Sequence, residues 1–162
     1  MLRKKILSVA TAACLVVPAG RALAGEEAPA PERTRIDIVG MDYHFMLADG
    51  SEFPKELEKG DYKFTFRNDS EKRIHEVVLF KLLHGKKLNW LLKVSEKKAL
   101  KHIRFMGATF AMPGEKAKKP IRTSLTKGRY AMLCFVQNRK RTKPHFLKGM
   151  KHRFDVVRPA AQ

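Results

Sequence analysis

From Thr34 onward the chain runs in short segments of alternating apolar and polar residues, separated by turn-forming residues. Lys59-Gly60-Asp61 reads as a turn. After it, Tyr62, Phe64 and Phe66 fall on one parity and Lys63, Thr65 and Arg67 on the other. That is the period of a half-buried strand, and Asn68-Asp69-Ser70 ends it. Arg35 to Val39 and Tyr43 to Leu47 are shorter segments of the same kind. Ile74 to Leu82 is apolar on both parities and predicts a central strand. Ile121 to Leu125, Arg129 to Val136 and Lys151 to Val157 complete the set. In the last of these the pattern leaves open which parity is buried. Many short strands with turns between them predict an all-β sandwich.

One stretch departs from this pattern. Leu88, Leu91, Leu92 and Val94, then Ala99 and Leu100, recur among Lys and Glu at helical spacing. They predict a short amphipathic helix inserted around residues 88–101. Gly107 and Pro113-Gly114 read as later turns.

The N-terminus has a different character. Arg3, Lys4 and Lys5 precede an apolar run from Ile6 to Pro18, and Ala22-Leu23-Ala24 offers a small-residue cleavage site. Residues 1–24 therefore read as a signal peptide that is cleaved. The run is shorter than the about 20 residues a membrane-spanning helix needs. Lipid anchoring at Cys14 is the alternative outcome of processing. Residues 25–33, rich in Ala, Pro and Glu, read as a flexible leader. We expect the mature protein outside the cytoplasm, in a periplasm or comparable compartment.

Removing residues 1–24 leaves 138 of the 162 residues, enough for one domain with one core. It also takes four positive charges from the formal +18, leaving +14. So large a positive field favours acidic proteins or anionic lipid surfaces. Export disfavours nucleic acid as a partner. We expect a monomer.

Cleavage changes the meaning of one residue. The mature chain keeps a single cysteine, Cys134, which has no intramolecular partner for a disulfide. Such a thiol is incidental packing, an intermolecular link or a metal ligand. Cys134 ends a predicted strand, and His145 and Met150 follow in the next loop. A type 1 copper centre uses two imidazoles and a thiolate in a trigonal set with a weak axial ligand, often Met. Cys134, His145 and Met150 would supply three of these. His75, at the start of an apolar strand after a polar turn, is the best candidate for the fourth. Whether Met150 ligates or only packs beneath the metal stays open. His44, His84, His102 and His152 have no matched partners and read as surface or packing residues.

These residues carry a resemblance. Gly128-x-Tyr130-x-x-x-Cys134 is similar to the strand that leads to the copper cysteine in cupredoxins. Lys59-Gly60-Asp61-Tyr62-Lys63-Phe64-Thr65-Phe66-x-Asn68, continuing to His75, is similar to the strand pair that leads to the first histidine. Pro144-His145 with Gly149-Met150 matches the second histidine and the methionine. The resemblance implies a Greek-key β-sandwich over residues 34–158 that binds one copper ion and transfers electrons. Two positions differ from many members. The ten residues between Cys134 and His145 make a long spacing, and Glu76 stands where an Asn usually ties the two ligand loops together.

The chain does not read as an enzyme. Multicopper oxidases flank the copper cysteine with histidines, whereas here the neighbours are Leu133 and Phe135. No second mature cysteine exists for a binuclear thiolate-bridged site. Clustered Cys and His pairs of a structural zinc site are also missing. The expectation is an exported carrier of single electrons. A copper-delivery protein of the cell envelope and a metal-free binding module are the alternatives. Arg139, Lys140, Arg141 and Lys143 lie just before His145 and would dock an acidic redox partner beside the edge of that ring.

Overall fold

The computed structural model describes residues 32–140 and 142–159. The expected signal peptide, most of the leader, Cys14 and Arg141 lie outside the described residues. The first sheet contains β1 (Thr34–Met41), β2 (His44–Leu47), β4 (Gly60–Asn68) and β7 (Ile121–Leu125), in the order β2-β1-β4-β7. The second contains β3 (Glu56–Glu58), β5 (His75–Leu82), β6 (Ile103–Ala111), β8 (Gly128–Leu133) and β9 (Lys151–Val157), in the order β3-β9-β8-β5-β6. β1 with β4 and β3 with β9 are parallel; the other pairs are antiparallel. Among the described residues no helix is long and apolar enough to cross a membrane.

The alternation in β4 sets the core. Tyr62, Phe64 and Phe66 are buried, and Lys63, Thr65 and Arg67 are not. They join Ile38, Val77, Leu79, Tyr130, Met132, Phe154 and Val156 between the sheets. The two-faced pattern of β5 has a matching cause. Phe80 and Leu82 point away from this core into a second cluster with Ala131 and Leu133, under Leu88 and Leu91. In β9 the buried parity is that of Phe154 and Val156.

The predicted helix is broken in two. α1 covers Leu88–Leu91 and α2 covers Glu96–Leu100. Ser95 is extended (φ −61°, ψ 151°) and its carbonyl accepts from the N–H groups of Lys98 and Ala99, starting a new turn. The Ser95 hydroxyl makes no cap bond, so the break rests on the extended backbone at this position. Two strands were hidden in the sequence. β3 contributes only three residues. β6 contains Gly107, which is not at a turn: it sits at a register shift opposite Leu79, with φ 147°. A Cβ there would lie 2.5 Å from Ile121 Cγ2. Such a bulge resets the parity of the strand and erases its alternation.

Parity also aims the candidate ligands. His75 shares the inward parity of Val77 and Leu79, and Cys134 that of Tyr130 and Met132. Val78 pairs with Leu133, so both ligands leave the sheet at the same end. The strand that carries His75 starts at His75 itself, and Ile74 is 39% exposed. Asn68 locks the turn before it. Its Nδ2 donates to Arg73 O (2.7 Å) and Ala111 O (3.0 Å), and its Oδ1 accepts from Ser70 N–H (3.0 Å). Asn68 is fully buried, so truncation leaves these groups unpaired away from water. Asn68→Ala should destabilise the fold by about 3 kcal/mol in urea denaturation; a change near zero would show that water replaces the side chain.

Candidate metal centre

His75, Cys134 and His145 come from β5, the end of β8 and the loop beyond it. All three side chains are 0% exposed. The spacing of ten residues between Cys134 and His145 is accommodated by pinching the loop. His145 N–H donates to Val136 O (2.9 Å) and Phe146 N–H to Cys134 O (2.9 Å). The described residues 137–140 and 142–144 lie outside this pinch, and His145 returns to the sulfur. A 3₁₀ turn over His145–Lys148 then brings Met150 back. Met150 N–H donates to His145 O (3.0 Å), and Met150 O accepts from Cys134 N–H (3.2 Å). Met150 is fully buried, and a Cβ on Gly40 would lie 2.9 Å from its Cε. The absence of a side chain at Gly40 is what leaves room for it.

The inward-facing atoms are specific. His75 Nδ1 and His145 Nδ1 are 3.1 Å apart, and Cys134 Sγ is 3.9 and 3.5 Å from them. Each outer nitrogen has its own partner. His145 Nε2 donates to Asn138 Oδ1 (2.6 Å), an oxygen that can only accept. Ser70 Oγ lies 2.7 Å from His75 Nε2; its hydroxyl donates to that nitrogen when a proton sits between the rings and accepts from it when a cation does. In the second case both Nδ1 lone pairs are turned towards the sulfur. Two lone pairs at this separation repel unless a proton or a cation lies between them. Ligands about 2.0–2.3 Å from a metal in a trigonal plane stand about 3.5–3.8 Å apart. The three observed separations bracket that range, so the residues fit a small N/S-bound cation.

The electrostatics agree with this chemistry. Burial lowers the pKa of His75 from 6.5 to about 4, helped by His145 and Arg73. Burial, then Lys148 and Arg73, also lowers that of His145. Both rings are therefore neutral ligands at pH 7. The Cys134 thiol is pushed up from 9.0 to about 11 by burial, although the backbone amides of Glu76 and Val136 favour its thiolate. Metal binding must displace that proton.

Glu76 is the brace where many cupredoxins carry Asn. Its Oε1 accepts from Phe135 N–H at 2.9 Å, tying the residue after His75 to the residue after Cys134. The sequence did not point to Ser70, Asn138 or Tyr43. Tyr43 packs edge-on against His145 (centroids 4.8 Å apart), and its hydroxyl accepts from Asn138 Nδ2 (3.1 Å). The sequence places Tyr43 at the start of a strand, whereas β2 begins at His44 and Tyr43 lies in the turn before it, at φ 69°. The edge of His145 beside which the basic loop would dock a partner is buried, covered by Asn138 and Tyr43. The other histidines lie elsewhere. His44 bonds to Asp42 O, His152 to Pro54 O, and His84 and His102 pack edge to face.

The lowered pKa values fix a pH dependence. Below pH 6.5 the unfolded chain protonates these histidines and the fold does not, so acid favours unfolding. The metal-free protein should hold its stability above pH 6.5 and lose it as the pH falls towards about 4. Denaturation midpoints that stay constant across that window would contradict the burial of the rings.

No protein-family model matches the sequence, and no curated protein matches it. Solved structures do. A dithionite-reduced auracyanin from the photosynthetic bacterium Roseiflexus castenholzii is 21% identical, with TM-score 0.52, over 78% of this chain and 99% of that one. A reduced rusticyanin is 16% identical, with TM-score 0.53, over 79% of this chain and 81% of its own. Rusticyanin from Thiobacillus ferrooxidans is 15% identical, with TM-score 0.50, over 79% of each chain. With its two packed sheets and these likenesses, the chain has the cupredoxin fold.

Proposed function

We propose that this protein is a type 1 copper protein that binds one copper ion and carries single electrons outside the cytoplasm. The observation that carries the reading is the convergence of His75 Nδ1, His145 Nδ1 and Cys134 Sγ on one buried point. Met150, held against both His145 and Cys134 through the main chain, would offer its thioether as the weak fourth ligand. Copper bound there supplies one-electron exchange between Cu(II) and Cu(I). The chain supplies a soft sulfur donor for the reduced ion and imidazoles that also suit the oxidised one. Ser70 and Asn138 hold the rings from behind, and Glu76 couples the two ligand segments. A site so fixed resists rearrangement when the charge changes.

Full burial of the three ligands favours a resident ion over cargo, so we place copper delivery second. The match of the three donor separations to one N/S-bound cation favours a metal-binding protein over a metal-free module. The neighbours of Cys134, Leu133 and Phe135, offer no ligand to a second metal cluster. That supports a carrier rather than a catalyst. Auracyanin and rusticyanin share the fold, and the likeness is consistent with this role.

Loading with Cu(II) should produce an intense visible thiolate-to-copper band that dithionite bleaches and Cys134→Ser abolishes. A colourless copper-loaded protein would refute the type 1 assignment. Ser70→Ala and Asn138→Ala should each keep the band and weaken copper affinity by about 10–100-fold, the usual effect of losing a partner behind a ligand. Unchanged affinity in competition titrations would remove those residues from the site.

A further inference from the structure

A cleft of about 560 Å³ opens beside the metal centre. Four cations line it: Lys72 and Arg73 from the turn before β5, Arg139 from the loop after Cys134, and Lys148 from the 3₁₀ turn. They come from three separate chain segments, so the fold assembles them. Among the described residues no carboxylate lines the cleft. Among the described residues the ion pairs are Arg35–Asp37 and Arg67–Asp69, and none of the four cations is in one. Asn138 also lines the cleft, and it is the residue bonded to His145 Nε2 at 2.6 Å. Exposed Ile74 gives the cleft an apolar contact. Of the basic loop singled out in the sequence, Arg139 is the only described cation in this lining.

Two of the charges are held in place. Arg73 Cζ lies 5.2 Å and Lys148 Nζ 4.9 Å from the centre of the Tyr43 ring. Such contacts favour a cation over an aromatic face. Tyr43 is itself fixed at φ 69°, next to Asp42 at φ 43°. Left-handed backbone is costly for a bulky residue and persists where its surroundings enforce it. Here it sets the ring against His145 and the two cations against the ring.

We propose that this cleft is the docking site for an acidic partner protein, whose carboxylates seat among Lys72, Arg73, Arg139 and Lys148. Docking there would bring the one-electron centre of the partner against Asn138 and His145. The inference rests on the carrier reading for its purpose, while the binding itself does not require copper. A concave site with four convergent cations and an apolar wall suits protruding acidic side chains better than a flat lipid surface. Complementary charge of this kind acts mainly on encounter and register, and salt screens it.

The test uses the full metal-free protein and cytochrome b5, an acidic haem protein, at low ionic strength. Amide shifts should concentrate on residues 72–74, 138–139, 142 and 148 and vanish near 1 M salt, where the screening length is about 3 Å. Lys72→Glu with Arg139→Glu should weaken binding at least about tenfold. Lys93→Glu with Lys97→Glu makes the same charge change on the segment beyond the far end of β5. That strand spans about 23 Å, and this control should bind within about twofold of wild type. Equal weakening by the two pairs would mean that overall charge, not the cleft, binds the partner, and would overturn the proposal. So would shifts that map elsewhere. Vesicles of phosphatidylserine and phosphatidylcholine form the second arm. If Lys72→Glu with Arg139→Glu abolishes vesicle binding but leaves cytochrome b5 affinity intact, the cleft is a lipid site and the proposal fails. The visible band separates the two claims. Its absence in wild type refutes the carrier reading and leaves the binding map standing. A normal band with unchanged binding in the cleft variant refutes docking alone.

Discussion

The structure depends on holding two neutral imidazoles with their Nδ1 atoms facing one sulfur. Packed side chains alone would let those rings turn or take up protons. The hydrogen bonds from Nε2 to Ser70 and Asn138 prevent the first. Burial prevents the second. The result is a concentrated set of donors that an isolated chain would not hold together. A structural metal site is usually braced by such outer partners as much as by its ligands.

The rest of the sandwich serves that arrangement. β5 and β8 deliver His75 and Cys134 to one end because their inward parities match. The covering helix α1 allows both strands to be apolar on the outer face, which keeps the second sheet rigid around the ligands. Asn68 closes the turn into His75, and paired backbone bonds return His145 to Cys134 across a long excursion. Glu76 joins the two ligand segments through Phe135 N–H. Each device limits the movement of a ligand.

Much of this was legible in the sequence, and the reason is periodicity. Tyr62, Phe64 and Phe66 announce β4 because an inward face repeats every second residue. Cys134 and His75 stood out because each combines a strand end with donor chemistry, and His145 and Met150 because they follow Cys134 in the next loop. What stayed hidden was either irregular or distant. The bulge at Gly107 reversed the parity of β6, so exposed Phe105 and Phe110 obscured its pattern. Ser95 divided a helix whose apolar spacing reads as continuous. Ser70 and Asn138 are ordinary turn or loop residues in the sequence, and Tyr43 reads there as the first residue of a strand. They acquire meaning only when tertiary contacts bring them to the rings. The same is true of the cleft, where one cation of the basic loop meets three from elsewhere.

The central claim is a trigonal copper site made by two imidazole nitrogens and one thiolate. Paramagnetic resonance of the Cu(II)-loaded protein tests it most directly. The account predicts a narrow copper hyperfine splitting, as strong sharing of the unpaired electron with Cys134 sulfur requires, together with coupling to two imidazole nitrogens. A wide splitting typical of tetragonal copper on exposed nitrogen and oxygen donors would contradict it.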